Sequence, residues 1–164
     1  MYGWLQDFSG SLVVVLMLFV SASTSPAQPP LGTAPTPTGS EHAAQAQSFA
    51  AEKLTYWQKR LSLEDWKVSV EVVRLSELRP RTLGNIHWDT DKKTAVIRVL
   101  DPADYRLPAE DVLPDIEFTV VHELIHLELA PVLAPLQRNE ANRRDEEHAV
   151  NQMTDALLRL DRGR

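Results

Sequence analysis

The stretch "FTVVHELIHLELA", Phe118 to Ala130, is apolar on almost every side, yet it carries two histidines and two glutamates. Titratable groups are seldom buried without a partner, because desolvating them costs several kcal/mol. At about 100° per residue, His122 and His126 fall about 40° apart on one helical face, flanked by Phe118 and Leu129. Val120, Leu124 and Leu127 occupy the opposite face, and a helix that is apolar all round is a buried helix. Asp115, after Pro114, is the predicted N-cap, and Pro131 is the predicted stop, leaving about 15 residues between them. The segment therefore places two imidazoles one turn apart in a core, with the Glu123 carboxylate beside them.

Upstream, "WKVSVEVV" alternates, with Trp66, Val68, Val70 and Val72 on one side and Lys67, Ser69 and Glu71 on the other. That pattern predicts a half-buried strand. "TLGNIHW" and "TAVIRVL" predict two more strands joined by the polar turn "DTDKK". "DPADYRLPAEDVLPD", with three prolines, reads as a loop. Before the strands, Ala50, Leu54, Trp57 and Leu61 form one helical stripe in a helix expected from Glu41 to about Leu61. The expected fold is a small α+β domain spanning 41–164: an N-terminal helix, about three strands, the histidine-bearing helix and a C-terminal helix.

Residues 24–40 are rich in Pro, Thr, Ala, Ser and Gly and read as a disordered linker without apolar surface to bury. In front of them, the apolar run Leu12 to Val20 is too short for a comfortable membrane span, which needs about 20 residues. It suits the core of a signal peptide over 1–23, although the preceding segment has no Lys or Arg and contains Asp7. The expectation is a secreted or periplasmic protein with no stable membrane span after cleavage. A net charge of −6 argues against a nucleic-acid-binding surface. The absence of cysteine excludes disulfides, thiolate nucleophiles and thiolate metal ligands, so any metal must be held by His, Asp or Glu.

"HELIH" matches H-E-x-x-H, in which imidazoles at i and i+4 reach one Zn²⁺ from a single helix face. The intervening Glu123 is turned about 100° from His122, so it misses the ion but reaches a water beside it. Binding one zinc per chain would explain the burial of the pair, and a hydrogen-bonded core pair is the plainer alternative. A catalytic zinc takes three protein ligands, so a third is expected downstream in "NRRDEEHAVNQMTDALLRL". There Val150, Met153, Leu157 and Leu160 form an apolar stripe centred on Glu146, with Asp145 and Glu147 about 100° to either side. Glu146 is the expected third ligand, with Glu147, Asp145 and His148 as alternatives. Acidic residues at a helix start also have a plain role in matching the helix dipole. Tyr105 and His87 are weaker candidates for polarising a substrate carbonyl, and Trp66 and Trp88 read as core residues.

With HELIH on one helix and Glu146 on the next, the chain resembles the gluzincin branch of the zincin metallopeptidases, in its compact form. The resemblance covers about Leu54 to Leu160 as architecture, and only the HExxH positions are specific. It implies His122, His126 and Glu146 as ligands, Glu123 as general base, and an outer strand beside the cleft, "TAVIRVL" or its hairpin partner. Many gluzincins carry an acid four residues after the ligand Glu. Here Val150 follows Glu146 at that distance and Asn151 follows Glu147, which keeps Glu147 open as the ligand. The expected function is zinc-dependent hydrolysis of peptide or protein substrates. The alternative is a non-catalytic zincin fold used for metal binding or protein interaction.

Overall fold

The computed structural model describes residues 39–135 and 139–163. The expected signal segment and nearly all of the expected linker lie outside these residues. Gly39 and Ser40, assigned to the linker, instead open the first helix.

The fold is α+β, with three helices and a three-stranded mixed sheet. Helix α1, Gly39–Arg60, buries Ala46, Ala50, Leu54 and Trp57 along one stripe. Strand β1, Lys67–Val73, is followed at the far side of the sheet by β2, Gly84–Asp89, and then by β3, Thr94–Leu100. The order is β1-β3-β2, with β1 parallel and β2 antiparallel to β3. The alternation read from sequence decides which face is covered. Ala95, Ile97 and Val99 of β3 are buried in one core with Val70 and the helices, while Lys67, Ser69 and Glu71 stay exposed. The edge of β1 is covered by Gln47 of α1, whose amide donates to the Val70 carbonyl at 2.8 Å and accepts from the Val72 N–H at 2.9 Å. An open strand edge is a template for unwanted pairing, and this side-chain clamp closes one of the two.

Helix α2, Ala109–Leu133, is longer than the sequence predicts. It starts after Pro108, six residues before the expected cap, and both Pro114 and Pro131 lie inside it. Each proline forfeits one backbone hydrogen bond, an interior cost of up to about 3 kcal/mol. Continuous burial offsets that cost: Val112, Ile116, Val120, Val121, Leu124, Ile125 and Leu127 are all in the core. Much of the expected proline-rich loop is thus helix, and Asp115 is a half-buried interior residue.

Helix α3, Glu140–Asp161, is capped by the Asn139 side chain, which accepts from the Asn142 N–H at 2.8 Å. It packs on α2 through Val150, Thr154 and Leu158. Met153 and Leu160, both placed inward by the sequence reading, are 37% and 75% exposed. The inward face is rotated because Thr154 is buried at no cost in unpaired polar groups: its hydroxyl donates to the Val150 carbonyl at 2.8 Å.

The three helices meet at Glu117, a buried acid on α2 that sequence reading passed over. Its carboxylate accepts from the Trp57 indole N–H at 3.0 Å and from Arg162 at 2.8 Å, and pairs with Lys53 at 3.1 Å. Burial opposes its ionisation, but these partners outweigh burial and hold the carboxyl below its ordinary value of 4.5. A depressed carboxyl adds stability above its unfolded pKa, and that stability is lost as pH falls through the folded value. Glu117→Ala would leave the buried indole N–H without an acceptor, while the two cations can turn to water. The expected loss is roughly 2–3 kcal/mol at pH 7, smaller at pH 3, read from denaturant unfolding at both pH values.

A second test concerns Gly84, where β2 comes closest to α2. A Cβ at Gly84 would sit 2.3 Å from Thr119 Cγ2 and 2.7 Å from the Arg98 carbonyl oxygen. Gly84→Ala should therefore destabilise the domain by about 1–3 kcal/mol. Thr119→Ser in the same chain should recover only part of the loss, because the Arg98 contact is backbone. Full recovery in a thermal melt would contradict the packing described.

Candidate metal and catalytic site

Helix α2 delivers His122 and His126 to one side, as their spacing dictates, and the two Nε2 atoms face each other at 3.1 Å. Phe118, one turn earlier, stacks on the His122 ring at 6.1 Å between centroids. Glu123 lies between the histidines in sequence and is only 7% exposed, on the wall that α2 presents to β2. Burial raises its pKa, the charges of His122 and His126 oppose the rise, and Glu147 adds to it.

The third group is where sequence and structure part. Glu147, not Glu146, approaches the facing ring nitrogens: its Oε2 is 3.3 Å from His122 Nε2 and 3.6 Å from His126 Nε2. Glu146 instead contacts the other side of the His126 ring, with Oε1 3.0 Å from Nδ1. The reason is the rotation of α3. With Val150, Thr154 and Leu158 inward, the buried stripe is turned by about 80° toward Glu147 relative to the stripe drawn through Met153 and Leu160. Glu146 is the more deeply buried of the two, its side chain 11% exposed against 49% for Glu147. Burial alone would favour Glu146. The direction of the ring nitrogens decides otherwise, because a donor atom has to converge with both Nε2 atoms. Asp145 and His148, the remaining alternatives, are exposed and take no part in the convergence.

His122, His126 and Glu147 are a triad whose donor atoms all lie within 4.8 Å of one another. The closest contacts are 3.1, 3.3 and 3.6 Å. Donors on a tetrahedral ion with bonds of 2.0–2.1 Å would stand roughly 3.3 Å apart, so this donor set has the spacing such a cation needs. The electrostatics agree. Contact with His122 and then His126 holds the Glu147 carboxyl far below the usual range. For His126, burial disfavours protonation, but Glu147, Glu123 and Glu146 together raise its pKa. The pocket thus favours positive charge at the His126 imidazole.

The triad forms the floor of a cleft of about 480 Å³ between β2 on one side and α2 and α3 on the other. Strand β2 is the sheet's second edge, so the hairpin partner of "TAVIRVL" borders the site. Trp88 reaches the cleft as well as the core. His87 borders the cleft, but its register opposite Val96 places it on the sheet face away from Ile86, Trp88 and α2, so it is poorly placed for carbonyl polarisation. Tyr105 packs into the core beside Asp115, where burial and then the Asp115 charge push its phenol upward, and it does not line the cleft.

At the mouth stands a turn that sequence reading did not single out. The Thr82 N–H and hydroxyl both donate to the Arg79 carbonyl, at 3.2 and 2.9 Å, with Pro80 second and Arg81 third in the turn. Arg81 has φ +67°, the left-handed conformation that such a turn normally assigns to Gly or Asn. For an arginine this costs about 1 kcal/mol. The signal available in the sequence was Pro80 at the second turn position, followed by a residue that is not glycine.

Comparison with protein-family models, curated proteins and solved structures finds no match to this chain, so the site is read on its own geometry.

Proposed function

We propose that the chain is a zinc-dependent metallopeptidase of compact gluzincin type, with His122, His126 and Glu147 as ligands and Glu123 as general base. The observation that carries this reading is the convergence of three donor atoms, at tetrahedral spacing, in a cleft that leaves a position open beside a buried glutamate. Zinc held there would polarise a peptide carbonyl and bring the pKa of a bound water to about 7. Glu123 accepts a proton on its carboxylate and returns it to the leaving amine, shielded from bulk water by β2. Glu146 accepts from His126 Nδ1–H, which sets the tautomer and leaves Nε2 free to bind the ion. The open edge of β2 offers an extended peptide unpaired backbone groups along the cleft, which supports a peptide substrate. A purely structural zinc site would be closed and would have no use for a buried base.

Metal content and turnover separate these roles. The zinc-supplied chain should carry about one zinc, measured by elemental analysis. Glu147→Gln should release the metal to a chelator most readily. Glu146→Gln should keep the ligand set but weaken affinity by about 10–100-fold. Glu123→Gln should retain zinc and lose at least about 10²-fold in peptide hydrolysis. A chain that holds no transition metal would overturn the reading. Release of zinc by Glu146→Gln with retention by Glu147→Gln would return the ligand role to Glu146.

A further inference from the structure

We propose that the cleft selects peptides carrying a carboxylate, and that Arg79, Arg81 and Arg143 are the residues that recognise it. The inference deepens the metallopeptidase reading, since it concerns the substrate class of the same cleft. It begins from charge. The chain has a net charge of −6, yet three guanidinium groups line this cleft. Arg79 and Arg81 stand on the β2 side, and Arg143 stands on α3, one turn before Glu146 and Glu147. Among the described residues, none of the three side chains makes an ion pair or hydrogen bond. Arg74, by contrast, a few residues upstream, is engaged by Asp104 through two hydrogen bonds of 2.7 and 2.6 Å.

The anions in the cleft do not answer for these arginines. Glu146 and Glu147 are turned to the imidazoles at 3.0 and 3.3 Å, and Glu123 is buried in the wall. Asp115 also lines the cleft, half-buried and facing Tyr105. Of the cleft's acids, Glu146 and Glu147 are thus engaged by the imidazoles and Glu123 is buried, while the three arginines stand exposed on both walls.

The second observation is the backbone at Arg81. A turn of this kind is built most cheaply with Gly in the third position. Here that position carries a long cationic side chain at φ +67°, and the turn is held by two hydrogen bonds onto one carbonyl. Local rules broken at the lip of a cleft point to a side chain retained for what it contacts. Guanidinium groups hold carboxylates through paired, charge-assisted hydrogen bonds, so the partner they fit is a carboxylate of the bound peptide. That carboxylate is either an Asp or Glu side chain or the peptide's C-terminus.

The test is equilibrium binding of fluorescent peptides to the full chain bearing Glu123→Gln, supplied with zinc, so that nothing is consumed. Three decapeptides are compared: one with central glutamates and an amidated C-terminus, its glutamine counterpart, and that counterpart with a free C-terminus. At least one carboxylate-bearing peptide should bind roughly tenfold tighter than the amidated glutamine peptide. Which of the two gains identifies the source. Arg79→Gln, Arg81→Asn and Arg143→Gln should each lower that preference about threefold and flatten its dependence on salt. Arg81→Asn should melt at the same temperature as the parent or higher, since Asn accepts the left-handed conformation, so its loss of binding cannot be loss of fold. Equal affinity for all three peptides, no binding of any peptide at millimolar concentration, or a preference that survives the triple arginine change would overturn the proposal. Attraction of the carboxylate to zinc alone would survive that change and is separated by it. Metal content and turnover are measured apart from binding, so a chain without zinc or hydrolysis would end the enzyme reading and leave the peptide preference to its own result.

Discussion

Helix α2 has no face that can be left in water, and the rest of the structure follows from covering it. The sheet and α1 take the side bearing Val120, Val121 and Leu124, and α3 takes another through Val150 and Leu158. What remains is the strip holding Phe118, His122, Glu123 and His126, which faces β2 across the cleft. On that strip each imidazole has a carboxylate against it, while the His122 Nδ1 is buried without a hydrogen-bond partner. The cleft therefore opens where the polar strip of α2 faces the edge strand.

Two further contacts hold that arrangement. Glu117 draws Trp57 of α1 and Arg162, just past the end of α3, onto a single carboxylate on the side of α2 away from the site. Asp161 adds to the same junction, accepting from the Tyr56 hydroxyl at 2.5 Å and pairing with Arg60 at 2.9 Å. On the cleft side, Gly84 lets the edge strand come within contact of Thr119, one turn before Glu123 on α2. The helix is thereby pinned at one side by ionic contacts and at the other by the absence of a side chain.

The paired glutamates of α3 divide their work by direction. Adjacent residues on a helix diverge by about 100°, so two neighbouring acids cannot both face the same atom. One meets the Nε2 atoms and the other wraps behind the His126 ring to Nδ1. Val150 and Asn151, the residues four positions after these glutamates, are not acids. Glu146 supplies a carboxylate to the ring from the position before the converging one. Two consecutive acids thus place one carboxylate against each nitrogen of the same imidazole.

Most of the fold was legible in the sequence because it is written in periodicity. The alternation of Val68, Val70 and Val72, the stripe of Ala50, Leu54 and Trp57, and the burial of α2 between Ile116 and Leu127 each follow from the geometry of one element. The pairing of His122 with His126 and the lateral position of Glu123 are equally local, since 3.6 residues per turn dictates them. The extent of α2 was not legible: Pro108, Pro114 and Pro131 argue for loops by local preference, and only burial against the sheet and α1 outweighs them. Nor was the rotation of α3. By hydropathy Met153 and Leu160 belong inside and Thr154 outside, yet a threonine that satisfies its hydroxyl on its own helix packs inward as well as an apolar residue does. That choice, made by the fit of α3 against α2, turns Glu147 rather than Glu146 toward the imidazoles. The sequence by itself determined which helix carries the histidines and that carboxylates follow on the next. Which carboxylate meets them was decided only in the tertiary structure, because the rotation of a helix about its axis is set by what it packs against.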